Sequence, residues 1–118
     1  MKKVYYLSTC DTCNRILKAL NLLEDFTLQD IKNEAITEAQ LEEMHTLSGN
    51  YEALFSKRAR LYKSLGLKDK SLSEDDYKNY ILEHYTFLKR PVILIENQIF
   101  IGNSKKTVEA AKQAVYEK

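Results

Sequence analysis

The sequence predicts a small α/β fold in the order strand, helix, strand, a helical segment, then strand, strand, helix. Val4–Leu7 form an apolar run that breaks at Ser8, as a buried first strand does before a turn. Val92–Ile95 form a second continuous apolar run, and Ile99–Ile101 form a third. Between about residues 35 and 86, apolar residues recur at helical spacing instead. We therefore expect one sheet built from both ends of the chain, with a helical insertion between them.

The N-terminal half of the sheet follows from local patterns. A helix is predicted to begin near Cys10, with Thr9 or Asp11 as its cap. Its apolar positions recur at helical spacing: Ile16, Leu17, Ala19, Leu20 and Leu23. Phe26–Leu28 then predict a short second strand.

Three groups of residues predict the helices of the insertion. Thr37–Gln40 read as a capping box opening a helix that ends at Gly49, with Leu41, Met44 and Leu47 on its inner face. One or two short helices then stop at Gly66, with apolar residues Tyr51, Leu54, Phe55, Leu61, Tyr62 and Leu65. A further helix begins near Ser73–Asp76, and its stripe is Tyr77, Tyr80, Ile81, His84 and Tyr85.

The C-terminal elements complete the sheet. Glu96–Gln98 are a polar turn between two apolar runs, which predicts a hairpin. Ser104 caps a last helix with a small-residue inner face: Val108, Ala111, Ala114 and Val115. This order resembles the thioredoxin-like (glutaredoxin-like) topology. We expect a single domain over 1–118, with its core at about 1–32 and 88–118 and the helical insertion at about 35–86.

Composition excludes several classes of protein. The chain has 118 residues, of which 44% are hydrophobic and 30% charged, with 3 Gly and 1 Pro, so it is neither disordered nor fibrous. Its formal charge of +1 is too balanced for binding nucleic acid through phosphate neutralisation. Val4–Leu7 are too short for a signal peptide or a membrane span. We expect a cytoplasmic protein with no direct contact to nucleic acid or membrane.

The two cysteines are the residues most suggestive of chemistry. Cys10 and Cys13 lie three residues apart at a predicted helix start, so both thiols share one face within reach of a disulfide. The helix N-terminus favours a thiolate at Cys10, while Cys13 is placed to resolve a mixed disulfide; the Asp11 carboxylate opposes that thiolate. A metal site is disfavoured because there is no second cysteine pair and because His45 and His84 occur singly.

Three segments of the chain resemble the arsenate reductase-like and Spx family: Tyr5–Cys13, Leu65–Leu67 and Lys89–Ile93. The resemblance extends over essentially the whole chain. It implies a thioredoxin-like fold with a helical insertion, with Cys10 as catalytic nucleophile and Cys13 as its resolving partner in a Cys-x-x-Cys switch of the Spx type. It also implies that Arg90 stabilises an anion at the cysteine beside a cis proline, Pro91. Arg58 corresponds to an arginine in the insertion, and Arg58, Pro91 and Thr12 become candidate substrate-binding residues.

The chain departs from the glutathione-dependent arsenate reductases of that family. Those enzymes carry three arginines around the cysteine and a histidine shortly before it, where this chain has Leu7, Ser8 and Thr9. The third arginine would fall within Ile101–Ser104. Losing such guanidinium groups removes charge-assisted hydrogen bonds worth roughly 1.5–3 kcal/mol each.

The sequence therefore favours a thiol–disulfide oxidoreductase acting on a small-molecule or protein disulfide. We expect no bound cofactor, and glutathione or thioredoxin as electron donor. Two alternatives stay open. One is an arsenate reductase coupled to glutathione or thioredoxin. The other is an Spx-like redox-sensing regulator that binds an RNA polymerase subunit.

Overall fold

The computed structural model describes residues 2–20 and 26–116, so the predicted helix position Leu23 lies outside the described residues. The elements are β1 (Lys2–Tyr6), α1 (Asp11–Leu20), β2 (Thr27–Asp30), α2 (Glu38–Ser48), α3 (Arg60–Ser64), α4 (Glu74–Glu83), β3 (Val92–Ile95), β4 (Gln98–Ile101) and α5 (Lys105–Tyr116). Short 3₁₀ turns occupy Glu52–Leu54, Leu67–Asp69 and Tyr85–Phe87. Within the described ranges, no helix has the length and apolarity needed to cross a bilayer.

The chain divides into two compact units. Unit 1 comprises Met1–Glu34 and Arg90–Lys118, and unit 2 comprises Ala35–Lys89. The sheet lies in unit 1, and its strands are ordered β2-β1-β3-β4. β1 runs parallel to β2 and antiparallel to β3, and β3 pairs with β4 as an antiparallel hairpin. This arrangement confirms the predicted α/β fold with the order βαβ, helices, ββα.

The core of unit 1 lies between the sheet and its helices. All four residues of β3 are buried, as expected of a central strand covered on both faces. The core cluster takes its residues from both strands and helices: Val4, Ile16, Leu20, Phe26, Ile93, Ile95, Ala111 and Val115. Ala111 is fully buried, and its small side chain lets α5 approach the sheet closely.

Unit 2 is built around stacked aromatic rings. Phe55 stacks on Phe87 with ring centroids 5.1 Å apart, and Tyr77 lies 4.8 Å from Phe55. Leu41 and Met44 on the predicted inner face of α2 are fully buried.

The helix ends in unit 2 confirm the predicted local signals. Thr37 and Gln40 form the capping box of α2. Gly49 ends that helix in the left-handed region at φ 88°, where glycine is favoured. Ser73 and Asp76 form a second capping box at the start of α4.

The prediction that His84 and Tyr85 continue the stripe of α4 is wrong. The helix ends at Glu83, and His84 is extended at φ −138° and ψ 119°. The following segment is held by a different partner, because the N–H of Lys89 donates to the carbonyl of Leu54 at 2.8 Å. A matching bond joins the N–H of Ser56 to the carbonyl of Phe87 at 2.7 Å. The chain after α4 thus forms the 3₁₀ turn Tyr85–Phe87 and then pairs through its backbone with the segment around Phe55.

Candidate active site

Cys10 occupies the position directly before α1. Its N–H donates to the carbonyl of Leu7 at 3.0 Å, closing a tight turn after β1. Its carbonyl accepts from the N–H of Asn14 at 3.1 Å, which is the first hydrogen bond of the helix. The predicted cap at Thr9 or Asp11 is therefore wrong by one residue, since Cys10 itself stands at the cap position. There its sulfur meets backbone N–H groups that no helical carbonyl uses.

The environment of Cys10 favours its thiolate. Partial burial acts to raise the pKa of the Cys10 thiol, but the opposing contributions outweigh it. These are a hydrogen bond from the backbone N–H of Cys13, one from the Cys13 thiol, the positive charge of Arg90 and the backbone N–H of Thr12. The net effect lowers the pKa of Cys10 below its usual value. A lower pKa gives a larger fraction of nucleophilic thiolate at neutral pH.

Cys13 behaves in the opposite way. Its side chain is fully buried, and both cysteines are free thiols in this structure. Burial contributes most to raising the pKa of Cys13 to about 11, and the hydrogen bond with Cys10 and the negative charge of Cys10 add to it. A backbone hydrogen bond with Leu7 and the positive charge of Arg90 act in the opposite direction. The pair therefore consists of one partly exposed thiol whose pKa is lowered and one buried thiol whose pKa is raised.

Sheet register brings the Arg90–Pro91 segment to the cysteine turn. Tyr5 pairs with Val92 in antiparallel register, so the residues entering β3 lie at the edge where β1 ends. The Arg90–Pro91 peptide is cis, which confirms the expectation for Pro91. Pro91 is buried, and its carbonyl accepts from the N–H of Gly102 at 2.9 Å. The Arg90 side chain is partly buried, and its charge lowers the pKa of both cysteines.

Sequence reasoning missed a polar network that holds the turn before Cys10. Asp30, the last residue of β2, accepts from the backbone N–H of Ser8 at 3.2 Å and from its hydroxyl at 2.6 Å. The Asn14 side chain in turn donates to the Ser8 carbonyl at 2.9 Å. Asp30 and Ser8 are 22 positions apart, so no local pattern joins them.

The predicted site residues fall into two groups. Unit 1 brings Cys10, Thr12, Cys13, Arg90 and Pro91 to one edge of the sheet. Arg58 belongs to unit 2, where it is exposed in the turn that precedes α3.

The described residues hold no cluster suited to a metal ion. Within residues 2–20 and 26–116, no three side chains of His, Cys, Asp or Glu converge as ligands. What the structure offers chemically at this edge is thus a thiol whose pKa is lowered, a second thiol and a guanidinium charge.

Comparison with known proteins finds relatives that match most of this chain. A protein of Haemophilus influenzae is 27% identical over 118 residues, covering 94% of this chain and 98% of that protein. Global transcriptional regulator Spx 2 of Bacillus anthracis is 27% identical over 105 residues, covering 86% of this chain and 79% of that protein. The structure of an arsenate reductase from Vibrio cholerae superimposes with a TM-score of 0.74 at 20% identity, over 98% of this chain and 95% of that one.

That structural likeness establishes the thioredoxin-like fold. The family is established separately, by a match to the ArsC family model over residues 5–111. Because this match spans nearly the whole sequence, the chain belongs to the ArsC family.

Proposed function

We propose that this chain is a thiol–disulfide oxidoreductase in which Cys10 is the nucleophile and Cys13 the resolving thiol. Membership of the ArsC family supports a thiol oxidoreductase-like function. The observation that carries the finer proposal is the contrast between the two cysteines. The pKa of Cys10 is lowered at the start of α1, whereas that of the buried Cys13 is raised to about 11.

The first step is attack of the Cys10 thiolate on one sulfur of a substrate disulfide. A bond forms between the Cys10 sulfur and that sulfur, and the substrate S–S bond breaks. The other substrate sulfur leaves as a thiolate, which takes a proton from solvent. The product of this step is a mixed disulfide between Cys10 and half of the substrate.

In the second step Cys13 releases the bound half of the substrate. Its thiol loses a proton to solvent and attacks the Cys10 sulfur, which forms the Cys10–Cys13 disulfide and expels the second substrate thiolate. The substrate disulfide has then gained two electrons and the cysteine pair has lost two. Once the Cys10 sulfur is in a mixed disulfide, its negative charge no longer raises the pKa of Cys13. Formation of the mixed disulfide thus makes the resolving thiol easier to ionise.

The neighbouring residues of unit 1 receive supporting roles in this proposal. Arg90 stabilises the attacking thiolate by its charge, and Thr12 does so through its backbone N–H. We also assign Thr12 and Pro91 to substrate binding, because both belong to the same edge of unit 1 as Cys10.

The proposed substrate is a small-molecule or protein disulfide, and the electron donor is glutathione or a thioredoxin system. We place the reaction in the cytoplasm, where these donors keep dithiols reduced. Either donor returns the Cys10–Cys13 disulfide to two thiols by supplying two electrons and two protons. Arsenate is the alternative oxidised substrate, and the leucine, serine and threonine that precede Cys10 supply no histidine for it.

A second candidate function is a redox-sensing regulator. The relative named Global transcriptional regulator Spx 2 favours it, at 27% identity over 105 residues. In such a protein the Cys10–Cys13 disulfide is a signal rather than a catalytic intermediate, and the proposed partner is a subunit of RNA polymerase. The exposed basic residues Lys57, Arg58, Arg60 and Lys63 of unit 2 are candidates for that contact.

A side-by-side turnover assay separates these functions. Reduction of arsenate and of a generic aromatic disulfide is measured with glutathione and with a thioredoxin system as donors, and a Cys10→Ser variant is the control. Turnover of the disulfide that disappears in the control supports the oxidoreductase. Turnover of arsenate alone supports the arsenate reductase. If neither substrate turns over and the chain is retained on immobilised RNA polymerase, the oxidoreductase proposal is wrong and the regulator is favoured.

A further inference from the structure

The side chain of Asp30 reaches the turn that carries Cys10. Asp30 pairs with Tyr6 in the parallel register of β2 and β1, so it lies beside the point where the chain leaves the sheet for Cys10. Both carboxylate oxygens are used. Oδ1 accepts from the backbone N–H of Ser8 at 3.2 Å, and Oδ2 accepts from the Ser8 hydroxyl at 2.6 Å.

The network continues from Ser8 to Cys10. The Ser8 carbonyl accepts from the side-chain amide of Asn14 at 2.9 Å, and the Asn14 backbone N–H donates to the carbonyl of Cys10 at 3.1 Å. Ser8 and Thr9 are exposed, so apolar packing contributes little to holding these two residues. The position of the turn therefore depends on its hydrogen bonds.

Other donors orient the Asp30 carboxylate itself. Its Oδ1 also accepts from the N–H of Lys32 at 3.3 Å, and its Oδ2 from the side-chain amide of Asn33 at 2.7 Å. An ionised carboxylate is an acceptor with about four lone-pair sites, which suits four converging donors. Hydrogen bonds lower the pKa of Asp30, although slight burial opposes them. The Ser8 hydroxyl contributes most, and the other donors are the backbone N–H groups of Ser8 and Lys32 and the side chain of Asn33. The carboxylate is thus ionised at neutral pH.

We propose that Asp30 is a positioning residue for Cys10. Asp30 holds Ser8 in the turn from Leu7 to Cys10, so that the Cys10 sulfur stays against the N–H groups of Thr12 and Cys13. This inference rests on the proposed role of Cys10 as nucleophile. Asp30 touches neither substrate nor the reacting sulfur in this mechanism, and acts only through the turn.

The sign of one measurement distinguishes this role from a simple charge effect. A negative charge near Cys10 disfavours the thiolate, so deleting an Asp30 that acted only by charge would lower the pKa of Cys10. Deleting an Asp30 that positions the turn loosens the hydrogen bonds to the sulfur and raises that pKa instead. A role confined to global stability leaves the pKa unchanged.

The test measures the pH dependence of iodoacetamide alkylation at Cys10 in folded protein, with Cys10 identified by mass mapping. In D30A we expect the Cys10 pKa to rise by about half a unit, which reduces the thiolate fraction at lower pH about threefold. D30N retains part of the hydrogen bonding and gives an intermediate value. E34A, which removes another acidic side chain of unit 1, is the matched control and titrates as wild type. A D30A pKa that is equal to or lower than that of wild type overturns the proposal.

A milder variant covers the case in which D30A fails to fold. S8A removes the hydroxyl donor and keeps the backbone N–H bond to Asp30, so we expect a smaller rise in the Cys10 pKa. An unchanged or lowered pKa in S8A also overturns the proposal. If Cys10 already titrates as an ordinary thiol in the wild type, the proposed function fails and the inference fails with it. If wild-type Cys10 is activated and D30A does not raise its pKa, only the inference fails.

Discussion

Replacing Arg90 with alanine is expected to raise the pKa of Cys10. The Arg90 charge lowers this pKa in the structure, but by less than either of the two hydrogen bonds from Cys13. An opposite charge within about 4–6 Å shifts a pKa by about 1–3 units. Because the Arg90 side chain is partly exposed, solvent screens it and we expect the lower end of that range. A rise of about one unit corresponds to an about tenfold smaller thiolate fraction wherever the pH lies below both pKa values.

The assay is the rate of iodoacetamide labelling at Cys10 as a function of pH, with circular dichroism to verify that each variant is folded. The midpoint of the rate profile gives the pKa directly. R90K retains the positive charge and is expected to shift the midpoint less than R90A, although it loses the planar fork that could hold an oxygen-rich substrate. R58A is the matched control, since it removes the same group from unit 2 and is expected to leave the midpoint in place.

One result would refute the expectation that Arg90 lowers the pKa of Cys10. If R90A and R58A both show the wild-type midpoint, the guanidinium of Arg90 contributes nothing to the state of Cys10. The activation of Cys10 would then depend only on the hydrogen bonds at the start of α1.

Three further predictions concern the resolving thiol, acid stability and the core. Cys13→Ser is expected to trap Cys10 as a mixed disulfide with glutathione, which is seen as one adduct in the intact mass. The wild type instead forms the Cys10–Cys13 disulfide and loses two hydrogens reversibly. A C13S protein without the adduct contradicts the assignment of Cys10 as the nucleophile. The hydrogen bond from the Tyr51 hydroxyl holds the pKa of Glu42 below its usual 4.5. The stability that ionised Glu42 contributes to the folded state is therefore fully present above pH 4.5, and it is lost as the pH falls through the lowered pKa of Glu42. E42Q should therefore flatten the loss of unfolding free energy in acid, and superimposable acid profiles would contradict this. Leu20→Ala in the fully buried core of unit 1 should cost about 2–5 kcal/mol in urea unfolding, and a loss below about 1 kcal/mol would show that the site is not tightly packed.

Several elements were predictable because their signals are local. Thr37 and Gln40 satisfy the first N–H groups of a helix from within one turn of chain, so the capping box at α2 is visible in the sequence. Gly49 relieves the steric cost of a left-handed residue at the helix end. The apolar run Val92–Ile95 coincides with β3 because a strand covered on both faces excludes polar residues.

The spacing of the two cysteines was also informative by itself. Three residues along a helix bring Cys10 and Cys13 to one face, whatever surrounds them. What the sequence did not determine is the difference between the two thiols. Cys13 is fully buried and Cys10 is not, and this burial contributes most to raising the pKa of Cys13 to about 11.

Tertiary structure alone decided the end of α4 and the network around Asp30. Helical periodicity continues through His84 and Tyr85, yet the helix ends at Glu83, and after a 3₁₀ turn the chain pairs with Leu54 through Lys89. Asp30 contacts Ser8 across 22 positions only because β2 lies beside β1 in parallel register. The physical reason is the range of the forces involved. Periodicity and capping act within one or two turns of chain, whereas a hydrogen bond between distant residues depends on a register that forms only when the whole sheet assembles.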